Sequence, residues 1–204
     1  MKPMTVARTK VLAGVGVAAL AAVGLAGCGG SGQQAASPPP KPAAATQPAQ
    51  SSVAHVAMTI KTGKMIGKPG WPQYSNASWT VKKGQTVVLT ITSYDDGNAP
   101  LPNGSPFTQV QGTVGGTELV NGSPVSSVAN QDVAHTFTVP GLGLNVVIPA
   151  APKGGTVTVQ ATFKADKAGT FNWQCEAPCG TGSTGWGGPM ATPGYMQGTV
   201  TVQS

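Results

Sequence analysis

Arginine is almost absent from this chain of 204 residues, and charge of any kind is scarce, at 9% of the sequence. The one arginine, Arg8, lies near the N-terminus, and no basic run exceeds the pair Lys82-Lys83. A chain that grips phosphate backbones needs a basic face, so nucleic acid is excluded as a partner. Aromatic residues make up only 5%, and histidine occurs twice and cysteine three times. No His-Asp pair stands at a spacing that would activate a serine or cysteine, and Ser183 near Cys179 has no base, so hydrolysis is excluded. Helical stripes of useful length are missing as well. The chain therefore has little with which to do chemistry, and the few reactive residues stand out.

The N-terminus accounts for one cysteine. Lys2, Arg8 and Lys10 precede an apolar run over residues 11–26, too short to span a bilayer well and ending in small residues. The sequence Leu25-Ala26-Gly27-Cys28 resembles the lipobox of bacterial lipoproteins. That resemblance implies a signal peptide over 1–27 and a diacylated Cys28 as the first mature residue. It would be a membrane anchor on the extracytoplasmic face. An ordinary secretory signal cut at a nearby small residue is the alternative. Residues 28–52, rich in proline, alanine and serine, have too little apolar surface to bury and read as a tether. Removing the signal leaves nine basic residues against six acidic, so the high calculated pI belongs partly to the signal.

Residues 53–204, about 150 in all, suffice for one core. They alternate with period two: Val87, Leu89 and Ile91; Val157, Val159, Ala161 and Phe163; Met196, Gly198, Val200 and Val202. Valine and threonine dominate these runs, and β-branched side chains favour strands. Turn residues separate them at 82–84, 95–98, 153–155 and 167–169. The expectation is an all-β sandwich or closed barrel. Residues 95–130 are rich in Gly, Pro, Ser and Asn and read as an insertion, with weak strand patterns at 108–114 and 118–120 and room for a small hairpin.

Two segments carry the chemistry. In residues 131–150, His135 shares a strand face with Phe137 and Val139, which should point inward. In residues 171–180, Phe171, Trp173 and Cys175 share a face, and Cys179 follows in a glycine-rich loop that also carries Met190. If the two strands are antiparallel neighbours, His135 and Cys175 meet at one end of the sandwich. Imidazole, two sulfurs and a thioether suit copper or zinc rather than magnesium or calcium. Three Cys and His ligands make a weak structural zinc site, which normally takes four. His55 reads as an exposed residue at a strand end, Asp132 faces away from His135, and Trp186 and Tyr195 flank Met190 as rim or core aromatics.

These segments resemble the copper-binding domain of cytochrome c oxidase subunit II, a cupredoxin fold with a dinuclear copper centre. The resemblance lies in the run from Asp132 through His135, Pro140, Leu142-Gly143-Leu144 and Ile148-Pro149. It continues through an aromatic strand into Cys175-x-x-x-Cys179-Gly180. It implies a cupredoxin-like Greek-key β-sandwich with copper held by His135, Cys175 and Cys179. The departures are specific. The family's second histidine falls on Ser183 and its methionine on Trp186, and Ala177 replaces an acidic residue. The loop is longer, and Met190 is the methionine left to serve. A mononuclear copper site is therefore expected in place of a dinuclear one, supporting one-electron transfer or extracytoplasmic copper capture with a redox or copper-delivery partner. The two transmembrane helices of subunit II are replaced by the tether, so no independent oxidase is expected. The alternative is a metal-free interaction module with a Cys175–Cys179 disulfide.

Overall fold

The computed structural model describes residues 52–204. The signal segment, Cys28 and nearly all of the tether lie outside the described residues. Eleven strands form the domain: β1 (Val53–Lys61), β2 (Gln73–Tyr74), β3 (Ser78–Lys82), β4 (Thr86–Ser93), β5 (Glu118–Val120), β6 (Ser123–Val125), β7 (Val133–Val139), β8 (Leu144–Pro149), β9 (Val157–Lys164), β10 (Gly169–Gln174) and β11 (Gln197–Gln203). Among the described residues no helix is long and apolar enough to cross a membrane.

The strands make two sheets, ordered β2-β1-β4-β9-β5-β6 and β3-β11-β10-β7-β8. The chain crosses repeatedly between them, β8 to β9 and β9 to β10, giving a two-sheet β-sandwich, the all-β architecture that the sequence leads one to expect. The alternating residues become the core: Val87, Leu89, Ile91, Val159 and Ala161 are fully buried. Aromatics gather at its centre, with the Trp173 ring 4.8 Å from Tyr74 and 4.9 Å from Phe137. Trp173 also donates its indole N–H to the Ala77 carbonyl at 2.7 Å, which satisfies its polar atom inside the core.

The insertion at 95–130 contains the hairpin, β5–β6, turning through Asn121 and Gly122 at φ 48° and 83°, the positive pair that a tight two-residue hairpin requires. β5 extends the first sheet by pairing with β9. The strand expected at 108–114 does not form. Gln109 and Gln111 make only isolated bridges, to Ser127 and Asn145, with single 3-10 turns at Pro106–Thr108 and Val114–Gly116.

The insertion covers the back of β7 and β8, so all seven residues of β7 are buried rather than alternate ones. The polar residues on that face bond to one another and to the insertion. Thr136 and Thr138 hydroxyls lie 2.9 Å apart, and Thr138 donates to Asn145 Oδ1 at 2.6 Å. Asn145 then donates to the carbonyls of Phe107 and Gln109 at 3.0 and 2.7 Å. Glu118 sits in the same layer, 1% exposed. Its Oε2 accepts from the Val147 N–H at 3.1 Å, while Oε1 has no partner.

Burial raises the Glu118 pKa from its ordinary 4.5 to about 8, against the opposing pull of the Val147 N–H. Below pH 4.5 the carboxyl is protonated in folded and unfolded chains alike. As the pH rises the unfolded chain ionises first, so stability falls, by at most about 1.4 kcal/mol per pH unit. The fall stops near pH 8, where the folded carboxyl also ionises. Glu118→Gln should abolish this decline. Urea midpoints of wild type and variant should converge near pH 4 and separate by pH 8, with the variant the more stable there; parallel pH profiles would refute the assignment.

Candidate metal centre

His135 is aimed by an irregularity in its own strand. The β7–β8 ladder shifts register between Val133 and His135, leaving Ala134 as an extra residue, and such bulges redirect the side chain that follows. On its other side β7 pairs antiparallel with β10, Thr138 opposite Gln174, so Cys175 emerges from the end of β10 next to His135. The face expected for Cys175 is the one observed: Trp173 and Cys175 are buried, Asn172 and Gln174 exposed. Two backbone bonds fix Cys175, its N–H to the Met196 carbonyl at 2.9 Å and the Thr136 N–H to its Sγ at 3.3 Å.

The loop then folds back on itself. The Gly180 N–H bonds the Gly185 carbonyl at 2.7 Å, and Thr181 bridges Gly187, so residues 180–187 form a small hairpin. Ser183 and Trp186, where the resemblance would place a second histidine and a methionine, are exposed on it. The base of the hairpin is tight. A Cβ on Gly180 would meet the carbonyls of Gly187 and Gly185 and lie 2.7 Å from Met190 Cγ. Met190, on the 3-10 turn Gly188–Ala191, is thereby held against the site.

Four donors converge. One ring nitrogen of His135 and the sulfurs of Cys175 and Cys179 lie within 4.8 Å of one another. The two sulfurs are 3.4 Å apart with both thiols free, and Met190 Sδ lies 3.4 Å from Cys179 Sγ. His55 is exposed on β1 and takes no part, and Tyr195 packs edge-on against Trp71 at 5.1 Å.

One residue of the site was missed. Asp95, expected only as part of a turn, accepts from His135 Nε2 through Oδ2 at 3.0 Å. Its other oxygen accepts from the Gly97 N–H at 3.0 Å, and its carbonyl accepts from Ala151 at 2.8 Å. The only signal in the sequence was a carboxylate two residues beyond the end of β4.

This contact commits the imidazole. With Nε2 on Asp95, Nδ1 is buried without a partner. A buried nitrogen left unpaired needs a reason, and a metal ion supplies one. Burial pushes the His135 pKa down, but the Asp95 hydrogen bond and the Cys175 sulfur outweigh it and raise the pKa from 6.5 to about 9. Burial raises Asp95, and the His135 hydrogen bond more than reverses that, leaving it lowered. Burial raises Cys175, but the hydrogen bond from Cys179, the charge of the neighbouring His135 and the Thr136 N–H more than reverse that and leave it lowered, whereas the bond to Cys175 raises Cys179. Two cysteine sulfurs, an imidazole and a thioether make a soft donor set, and it fits copper.

No family model matches the chain, and no curated protein matches it. Among solved structures it is similar to reduced rusticyanin, at 17% identity over 76% of this chain and 81% of that one, with a TM-score of 0.38. A structure of rusticyanin described as a copper protein matches at 14% identity over 76% of this chain and 80% of that one, with a TM-score of 0.38. Rusticyanin from Thiobacillus ferrooxidans matches at 15% identity over 76% and 79%, with a TM-score of 0.37.

Proposed function

We propose that this protein is a lipid-anchored, extracytoplasmic cupredoxin-like protein that binds one copper ion and passes single electrons. His135, Cys175, Cys179 and Met190 are its ligands, and Cys28 its anchor. The observation that carries the reading is the buried, unpartnered Nδ1 of His135 beside two free thiols and a thioether. The sequence likeness to the copper domain of cytochrome c oxidase subunit II supports it, and the lipobox-like Leu25-Ala26-Gly27-Cys28 supports the anchor. A mononuclear site is favoured over a dinuclear one because no second imidazole reaches the cluster among the described residues.

When bound, copper supplies a one-electron couple. The chain supplies everything else. Asp95 orients the imidazole and fixes which nitrogen faces the metal. The Thr136 N–H bonds Cys175 Sγ and steadies its negative charge. Tyr74, its ring centroid 6.3 Å from that of His135, belongs to the aromatic wall that keeps water from the inner side. The partner is a redox protein or a copper-delivering protein.

Copper added to the reduced protein should give strong thiolate-to-copper absorption, lost in His135→Ala and in Cys175→Ser. An intact mass short by two hydrogens, with no copper retained after reduction and reconstitution, would support a metal-free disulfide module instead. Gly180→Ala should cost about 1–3 kcal/mol of stability, as overpacking does. It should also weaken copper binding, because the new methyl displaces Met190. Unchanged copper affinity in a folded Gly180→Ala protein would remove Met190 from the ligand set.

A further inference from the structure

The four donors are not equally deep. A cleft of about 260 Å3 opens beside them, lined by Asp95, Asn98, Ala134, His135, Pro178 and Cys179 among others. The Asp95 side chain is 21% exposed and that of His135 is 1% exposed. Cys179 is half-buried, whereas Cys175 is fully buried. An ion coming from solvent down this cleft therefore meets a carboxylate and the outer sulfur before the inner pair. The carboxylate is held still for that encounter by the Gly97 N–H on Oδ1 and His135 on Oδ2, and each oxygen keeps a second lone pair. Oxygen is a hard ligand and a poor final one for a soft ion, so it attracts without trapping. Nδ1 of His135 is buried and has no protein partner to displace.

We propose that the site loads and unloads Cu(I) through this cleft, with Asp95 as the ion's first contact and Cys179 as the sulfur that receives it from there. The proposal rests on the copper reading above and adds a route, a sequence of contacts and an exchangeable ion. The partner it fits is a Cu(I) carrier that presents its ion at the cleft mouth.

The test is stopped-flow loading of the reduced, intact protein with Cu(I) supplied as its acetonitrile complex, and release to a chromogenic Cu(I) chelator. Asp95→Asn removes the charge but keeps an oxygen for His135. It should slow loading by about ten-fold or more, the scale of electrostatic steering. Asn98→Trp, an exposed position on the cleft wall, should slow loading and release alike and leave the affinity unchanged. Wild-type rates in both variants would overturn the route. Loss of affinity in Asp95→Asn with an unaltered loading rate would reduce Asp95 to a positioning residue and overturn its role as first contact. Should Asp95→Asn fail to fold, Asn98→Trp alone decides the route. An unmodified protein that takes up no copper overturns both the route and the function it rests on.

Discussion

The antiparallel pairing of β7 with β10 is the constraint on which the site depends. Its register, Thr138 opposite Gln174, is what brings His135 and Cys175 together across 40 residues of sequence. Side chains alternate along a strand, so a slip of one residue would turn Cys175 out to solvent and bring Gln174 inward. Several features guard the register. β10 is locked to β11 along its whole length, from Gly169 opposite Val202 to Gln174 opposite Gln197. Trp173 fills the core and is tied to Ala77, while Gly198 opposite it leaves no space for a Cβ.

The same strand carries two layers of polar structure, one on each face, and both bond to distant segments. On the inner side, Asp95 closes on His135 and the Thr136 N–H on Cys175 Sγ. On the outer side, Thr136, Thr138 and Asn145 form a chain that ends on the insertion's carbonyls. The Thr136 hydroxyl also accepts from the Glu176 N–H at 2.8 Å, so the outer network reaches the start of the cysteine loop. A fully paired buried network is rigid, whereas a partly paired one is costly. The insertion thus serves the metal centre from behind, by fixing the strand that carries its histidine.

How much of this was legible in the sequence depends on the range of the interactions. Strand identity is local: alternating Val87, Leu89 and Ile91 can satisfy one pattern only, and the pattern is visible without neighbours. The inward direction of Cys175 follows from Phe171 and Trp173 by the same rule. Asp95 could not be found in this way, because its partner lies 40 residues on and nothing between them encodes the contact. Thr138 and Asn145 are illegible for a related reason. They alternate with apolar residues as a solvent face does, and only the folded insertion turns that face into an interior. The added residues of the cysteine loop were legible as a lengthening, but not as a hairpin that leaves Met190 beside Cys179.

That hairpin also decides which donors the cluster holds. Lengthening a ligand loop would ordinarily move its last donor away. Here Gly180 and Gly187 allow the chain to close at the hairpin's base, so Met190 comes to lie 3.4 Å from Cys179. The donor set is weighted toward sulfur, and sulfur would stabilise a reduced, singly charged copper ion more than the oxidised one. The Asp95 carboxylate opposes that shift. Placed on the far nitrogen of the imidazole, it makes Nδ1 a stronger donor, which favours the more highly charged ion. The balance between three sulfurs on one side and a carboxylate-backed imidazole on the other would set the redox character of a copper ion held there. Both sides of it are anchored to β7.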